Sequence, residues 1–150
     1  MNTEHGIILL VEDNPRDVLL MKRAFRKANL TISLQVVEDG EAAVRYLSGV
    51  EPYRDRLRYP LPVLVLLDLK LPRKSGAEVL AWVRQQPELK RLPIVILTSS
   101  KEYVDVNNVY DLGGNAYMVK PIAFDNLVDI VKTINMHWII FNEKPELGRI

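Results

Sequence analysis

Residues 63–72 read Val63-Leu64-Val65-Leu66-Leu67-Asp68-Leu69-Lys70-Leu71-Pro72. An uninterrupted apolar run containing two β-branched residues leads directly into a carboxylate. So short a run is typical of a strand buried on both faces of a parallel sheet. In such sheets, ligands bind just beyond the carboxyl ends of the strands. The sequence therefore places Asp68 at the edge where a binding site is expected.

Three further apolar runs end in polar residues in the same way. Because the carboxyl ends of parallel strands share one edge of the sheet, we expect these polar residues to gather around Asp68. Together they supply carboxylates, a hydroxyl and an amine, a set able to hold a divalent cation and a phosphoryl group. The runs, with the residues that follow each, are Ile7 to Val11 before Glu12-Asp13, Ile94 to Leu97 before Thr98, and Ala116 to Val119 before Lys120-Pro121.

Helical patterns separate the strands. Asn14-Pro15 is an N-cap residue followed by the ring best tolerated at a helix's first position, and the last helix is predicted from about Phe124. Residues 32–37 alternate in part, as an outer strand would. Five strands alternating with five helices predict an α/β doubly wound, five-stranded parallel sheet. Right-handed crossovers place helices on both of its faces.

Composition excludes several classes of protein. The 150 residues suit a single domain, and a net charge of +1 gives no electrostatic case for binding nucleic acid or an anionic membrane. The absence of cysteine excludes disulfides and thiolate metal sites. We find neither a leader peptide nor an apolar run long enough to span a membrane. We expect one cytosolic domain over 1–150, with a core at about 6–135, a helical extension over 136–150 and no output domain.

The acidic residues at the strand ends predict a specific chemistry. Glu12 and Asp13, meeting Asp68, would raise one another's pKa unless a cation offset their charges. Mg²⁺ is the natural occupant, since it takes oxygen ligands and keeps several waters. A carboxylate beside it can attack a phosphoryl group and form an acyl phosphate. Lys120 would then neutralise the transferring oxygens, and Thr98 would donate a hydrogen bond to one of them.

Lys120-Pro121 is compatible with either peptide isomer. Proline supports a cis bond far more readily than other residues do. A cis turn would aim the Lys120 side chain back across the strand ends, which we state as a hypothesis. The sequence leaves the isomer open.

In their order along the chain, these motifs resemble the receiver domain of two-component response regulators, a CheY-like domain of the flavodoxin-like fold. The resemblance extends over about residues 6 to 135. It rests on an ordered set of motifs, any one of which alone is weak. The motifs are Val11-Glu12-Asp13-Asn14, Leu67-Asp68 with Leu71-Pro72 and Gly76, Leu97-Thr98-Ser99, and Tyr117-Met118-Val119-Lys120-Pro121.

The resemblance implies a role for each of these residues. Asp68 would accept phosphate from the phosphohistidine of a sensor histidine kinase. Asp13 and Asp68 would ligate Mg²⁺ with the backbone carbonyl of Lys70, and Glu12 would bond through water. Such a protein is a signalling phosphoacceptor rather than an enzyme. The remaining roles implied are a switch hydroxyl for Thr98, a phosphate-binding amine for Lys120 and an inward-turning aromatic for Tyr117.

A narrower resemblance concerns the segments around the motifs. The chain resembles the small stand-alone regulators paired with cyanobacterial and bacterial phytochromes in three further segments. These are the polar insertion at residues 50–60, the motif at residues 92–100 and the aromatic C-terminal extension. This similarity implies a phytochrome as the kinase partner.

The last apolar segment predicts a homodimer. Its apolar residues, over 134–141, encircle the helix, so some of them cannot face the same core. Exposed apolar area of this kind usually marks an interface. The candidate contact residues are Ile134, Trp138, Ile139 and Phe141.

Other interpretations of these residues stay open. Thr98 alone fits an ordinary turn, Tyr117 a half-buried strand aromatic, and Arg54, Arg56 and Arg58 a solvated loop. An Mg²⁺-dependent phosphatase of the haloacid dehalogenase type would also form an aspartyl phosphate, but it needs a second acid where this chain has Lys70. A scaffold of receiver fold that works without phosphorylation is the other alternative. Neither glycine-rich nucleotide-binding motif is present.

Overall fold

A computed structural model describes residues 6–148, so residues 1–5 and 149–150 of the predicted domain lie outside the described part. The predicted α/β fold is confirmed: a five-stranded parallel sheet in the order β2-β1-β3-β4-β5. The strands are β1 (Ile7–Val11), β2 (Ser33–Val37), β3 (Leu64–Leu67), β4 (Ile94–Thr98) and β5 (Ala116–Val119). The helices are α1 (Pro15–Lys27), α2 (Gly40–Ser48), α3 (Gly76–Gln85), α4 (Tyr103–Asp111) and α5 (Phe124–Ile134), continued by a π-helical segment, Asn135–Phe141.

The order of the strands brings their polar ends together. β1 lies beside β3 with Val11 opposite Leu67, so the residues that follow, Glu12 and Asp68, are neighbours. β4 and β5 come next in the sheet, and their carboxyl ends lie at the same edge. The strand order reverses between β1 and β3, which is where ligands bind in open sheets of this kind.

The central strands are buried on both faces. Ile7, Leu9 and Val11 of β1 pack into the core against α2, α3 and α4. Ile8 and Leu10 pack into the opposite core, formed with α1 and α5. None of these side chains is more than 4% exposed. Burial on both sides explains why the strand reads as a continuous apolar run rather than as an alternation.

The insertion at residues 50–60 is anchored by a half-buried arginine. The Arg56 guanidinium donates to the backbone carbonyls of Tyr46 at 2.8 Å and Leu47 at 2.9 Å, near the C-terminus of α2, and to that of Tyr59 at 3.2 Å. The rings of Tyr46, Tyr53 and Tyr59 pack on one another beside it. The expectation of a wholly solvated arginine run is therefore wrong for Arg56. It donates to carbonyls in the last turn of a helix, where the regular helical hydrogen bonds run out.

Replacing Arg56 with methionine is expected to lower the free energy of unfolding by about 2–4 kcal/mol, since buried carbonyls would lose charge-assisted hydrogen bonds. Urea unfolding followed by circular dichroism measures the change. Arg54→Met is the matched control. Arg54 is exposed and pairs with the similarly exposed Glu51, so its loss should cost less than about 0.5 kcal/mol. Equal costs for the two variants would contradict the anchoring role of Arg56.

The C-terminal extension is helical only as far as Phe141. Beyond it the chain turns back: the Lys144 ammonium donates to the Ile139 carbonyl at 2.8 Å, and the Gly148 amide donates to the Glu88 carbonyl at 2.8 Å. Leu147 packs against the core. The prediction of a helix over 136–150 is therefore wrong over residues 142–148, because this part gains its contacts by packing on the domain.

The predicted interface residues are divided between the core and the surface. Ile134 is 2% exposed and Ile139 1% exposed, so both pack within this chain's own core, and their assignment to an interface is wrong. Trp138 is half-buried against the same core. Phe141 remains 71% exposed. Across residues 6–148, no helix has both the length and the apolar character that crossing a bilayer requires.

Candidate functional site

Asp68 is the centre of the polar edge. Asp68 as a whole residue is 9% exposed. Its backbone amide donates to the Val11 carbonyl at 3.2 Å, which continues the pairing of β3 with β1 by one residue. One carboxylate oxygen, Oδ1, accepts hydrogen bonds from the Thr98 hydroxyl at 2.8 Å and the Lys70 amide at 3.3 Å. The other, Oδ2, accepts from the Lys120 ammonium at 2.8 Å. The carboxylate is therefore fixed through both of its oxygens.

Lys120 links the acids from the end of β5. Its Nζ donates to Asp68, to Asp17 at 3.0 Å and to Glu12. Burial alone would lower the pKa of Lys120, but hydrogen bonds to these carboxylates raise it above its ordinary value. The lysine is therefore a stable cation among the acids.

The Lys120-Pro121 peptide bond is trans. Within residues 6–148 the single cis peptide bond precedes Pro52, so the cis hypothesis is wrong. The Lys120 amide donates to the Thr98 carbonyl at 2.7 Å, which extends the pairing of β5 with β4. From that position the Lys120 side chain reaches Asp68 without a cis turn.

Glu12, Asp13 and Asp68 form the predicted acidic cluster, with carboxylate oxygens within 4.8 Å of one another. Burial, and then the neighbouring Asp68, raise the pKa of Glu12 to about 8. Burial would also raise the pKa of Asp68, but Glu12, Lys120 and Thr98 together hold it below its ordinary value. Of this pair, Asp68 is therefore the carboxyl whose pKa lies lower.

The donor set fits a hard divalent cation. Glu12 Oε2 is buried and has no hydrogen-bond partner, a costly state for a carboxylate oxygen that coordination to a metal would relieve. Asp13 is exposed and completes the cluster from the solvent side. Three carboxylates without nitrogen or sulfur ligands suit Mg²⁺ or Mn²⁺. The Lys70 backbone carbonyl stays a predicted ligand.

The loop after β4 connects the site to α4 and β5. The half-buried Tyr117 donates its hydroxyl hydrogen bond to the Ser100 carbonyl at 2.9 Å. The Ser100 hydroxyl donates to Asp105 in the first turn of α4 at 2.5 Å. Ser100, two residues after Thr98, is therefore bonded to both elements, and the switch role of Tyr117 stays a prediction.

Sequence reasoning missed one member of the site, Asp17. This residue lies in the first turn of α1, where the Asn14 side chain caps the helix by accepting from the Arg16 and Asp17 amides. The available signal is its place in the first turn of the predicted α1, a few residues after Glu12-Asp13. The contact with Lys120 depends on where the start of α1 lies relative to the end of β5, which the position in the sequence does not give.

The backbone leaves no room for a side chain at position 76. A Cβ at this position would lie 2.1 Å from the backbone oxygen of Asp68 and 2.8 Å from Leu69 Cα. The Gly76 amide donates to the Leu69 carbonyl at 2.9 Å. The start of α3 therefore packs directly on the backbone that carries Asp68.

This sheet order, with an acidic cluster, a hydroxyl and a lysine at its carboxyl edge, defines a receiver domain of two-component signalling. The chain belongs to the response regulator receiver domain family, which it matches over residues 8–132. The family resemblance drawn from the ordered motifs is confirmed.

Its relatives include phytochrome response regulators, which confirms the narrower resemblance. Response regulator Rcp1 of Synechocystis is 38% identical over 133 residues, covering 89% of this chain and 88% of that protein. The probable methanogenesis regulatory protein FilR2 of Methanothrix harundinacea is 37% identical over 139 residues, covering 93% and 87%. The phosphorylated cyanobacterial phytochrome response regulator RcpA superposes with a TM-score of 0.85 at 37% identity, covering 93% of this chain and 97% of that one.

Proposed function

We propose that this protein is a response regulator whose receiver domain accepts a phosphoryl group on Asp68 from the phosphohistidine of a sensor histidine kinase. The observation that carries the proposal is the state of the Asp68 carboxylate. It lies beside two further acids and accepts hydrogen bonds from both Thr98 and Lys120 at 2.8 Å, and despite burial its neighbours hold its pKa below the ordinary value. A scaffold that needed only the fold would have no use for so many charged groups at the edge of a buried sheet.

Asp68 would act as the nucleophile. One of its carboxylate oxygens forms a bond to phosphorus while the P–N bond of phosphohistidine breaks and the imidazole leaves with the electron pair. Because both oxygens already accept hydrogen bonds, a donor must turn to the transferred group. Thr98 and Lys120 are placed to do so, each ending on an oxygen of the phosphate.

The acids would hold Mg²⁺ during this reaction. Glu12, Asp13 and Asp68 are the proposed ligands, with the Lys70 backbone carbonyl as a further one. A divalent cation bound there would neutralise charge on the transferring oxygens. A relative supports this proposal, since Rcp1 has been solved in its Mn²⁺-bound form, with a TM-score of 0.83 to this chain at 37% identity, covering 93% of this chain and 98% of that one.

Incubation of the protein with acetyl phosphate tests the proposal. We expect the protein to bind about one phosphate per chain covalently when Mg²⁺ is present and none when EDTA is present. Hydroxylamine should release this phosphate. A protein that stays unlabelled with Mg²⁺ would refute the phosphoacceptor function and favour the scaffold. Continuous release of phosphate from unrelated phosphomonoesters would instead favour the phosphatase, whereas we propose a phosphoacceptor without such enzymatic turnover.

The signal would be a shift in conformational population rather than a new reaction. Phosphorylation replaces the single negative charge of the Asp68 carboxylate with about −1.5 to −2 on the acyl phosphate, and it draws Thr98 and Lys120 inward. Movement of Thr98 makes room for Tyr117, which changes the face formed by α4, β5 and α5. The phytochrome regulators among the relatives support a phytochrome as the kinase partner. A cytosolic location stays a prediction.

We also propose that the protein forms a homodimer through the exposed side of its π-helical segment. Met136, Ile140 and Phe141 are 48%, 47% and 71% exposed there. Their apolar area would leave water on association.

Phe141→Lys is expected to weaken the dimer at least about tenfold, because burying a phenylalanine is worth about 1.5–3 kcal/mol and two copies are lost. Sedimentation at tens of micromolar, roughly the range of a weak interface, measures the change. Leu57→Lys is the control, since Leu57 is 96% exposed on the insertion, outside this segment. A wild-type protein that is monomeric with and without phosphate would disprove the dimer.

A further inference from the structure

Lys120 has no free donor in this structure. A lysine ammonium carries three N–H groups, and Lys120 directs them to Glu12, Asp17 and Asp68. If phosphate is bound by this lysine, one of those bonds must be given up. The carboxylate that loses its bond to Lys120 is the group that competes with the phosphate for this lysine.

Asp17 is the partner that Lys120 can leave at the lowest cost. The Glu12 side chain is 3% exposed and that of Asp68 11%, whereas that of Asp17 is 34% exposed. Water can solvate the Asp17 carboxylate after the lysine moves away. The same departure from Glu12 would leave a buried carboxyl oxygen without its hydrogen-bond partner.

Asp17 also stands apart from the proposed metal ligands. The cluster able to hold a cation within residues 6–148 consists of Glu12, Asp13 and Asp68. The capping of α1 by Asn14 fixes the turn that carries Asp17. Asp17 and Lys120 line one small cavity of about 50 Å³, with apolar side chains such as Leu20 and Met21 on its wall. The apolar wall limits screening of the Asp17–Lys120 pair on that side.

We propose that Asp17 is a positioning residue that competes with the incoming phosphoryl group for Lys120 and thereby slows its uptake by Asp68. The inference rests on the proposed function. It adds a restraint to that function: in the wild-type protein, Asp17 holds the phosphate-binding lysine as a third partner beside Glu12 and Asp68. Removing that carboxylate makes the lysine available.

The test is the rate of phosphorylation of Asp17→Asn by acetyl phosphate and Mg²⁺ at constant ionic strength. We expect a rise of about two- to fivefold, the equivalent of a partly exposed ion pair. Damage to the fold would lower the rate instead. Asp17→Glu keeps the carboxylate and should return the rate toward the wild-type value. Asp129→Asn removes the same charge from an exposed position on α5 and should leave the rate unchanged.

Salt separates direct competition from general repulsion of an anionic donor. Repulsion at a distance is screened, while a contact pair is screened much less, so the ratio of variant to wild-type rates should persist at high salt. An unchanged or lower rate in Asp17→Asn, or a ratio that falls to one at high salt, would overturn the inference while leaving the phosphoacceptor function intact. A wild-type protein that takes up no phosphate would overturn both.

Discussion

Replacing Asp68 with asparagine is expected to abolish phosphate uptake, with a rate at least about 10³-fold below that of the wild type. The amide has no anionic oxygen to attack phosphorus. Asparagine nevertheless has the shape of aspartate, and its carbonyl can still accept from Thr98, which donates to Asp68 at 2.8 Å. The fold should therefore persist while the chemistry is lost. Uptake of labelled phosphate from a kinase or from acetyl phosphate measures the effect.

Asp129→Asn is again the control, because it removes one carboxylate from an exposed position on α5. It should be phosphorylated at the wild-type rate. Phosphate on the Asp68 variant, with the same sensitivity to hydroxylamine as in the wild type, would mean that another carboxylate is the acceptor.

Lys120→Met is expected to change two measurements in opposite directions. Phosphorylation should slow about 100-fold, as when a transition-state donor is removed from an enclosed site. Mg²⁺ should bind at least about tenfold more tightly, because an ammonium that opposes the cation has gone. Both expectations follow from the hydrogen bonds that Lys120 donates to Asp68 and Glu12, because these place its ammonium beside the phosphate acceptor and beside the cation site.

Kinetics with acetyl phosphate and calorimetric titration with Mg²⁺ measure the two effects. Lys101→Met is the control, because Lys101 is exposed in the loop before α4 and should alter neither quantity. If Lys120→Met bound Mg²⁺ no more tightly than the wild type, the lysine would not sense the cation site. If phosphorylation were unaffected, Lys120 would not bind the transferred phosphate.

The central part of this site could be predicted because it depends only on which strands are adjacent and where each strand ends. Once Val11 and Leu67 end adjacent parallel strands, Glu12 and Asp68 must lie side by side. The ends of β4 and β5 likewise bring Thr98 and Lys120 to the same edge. Apolar runs of four or five residues were sufficient evidence for those strands.

The contacts that sequence reasoning missed depend on packing between elements distant in the chain. Asp17 meets Lys120 because the fold brings the first turn of α1 within reach of the lysine side chain at the end of β5. Arg56 was expected in water, yet its guanidinium reaches the end of α2 because the insertion folds back on itself. Spacing along a helix or loop does not contain this information.

The C-terminal segment shows a second limit. Apolar residues around a whole helix predicted an interface, but the pattern did not indicate which of them the domain itself would cover. Ile134 and Ile139 are buried in the core, while Ile140 and Phe141 remain on the surface. The widened turn after α5 sets this division, and a regular helical spacing does not predict such a turn.

The most direct test of the central claim is to locate the phosphate in the chain. Wild-type protein treated with acetyl phosphate and Mg²⁺ is reduced with borohydride, which converts an acyl phosphate into the corresponding alcohol, and its peptides are sequenced by mass spectrometry. We expect the reduced residue at position 68 alone. Modification at Asp13 or Asp17 with Asp68 intact, or no modified peptide at all, would contradict the proposed function.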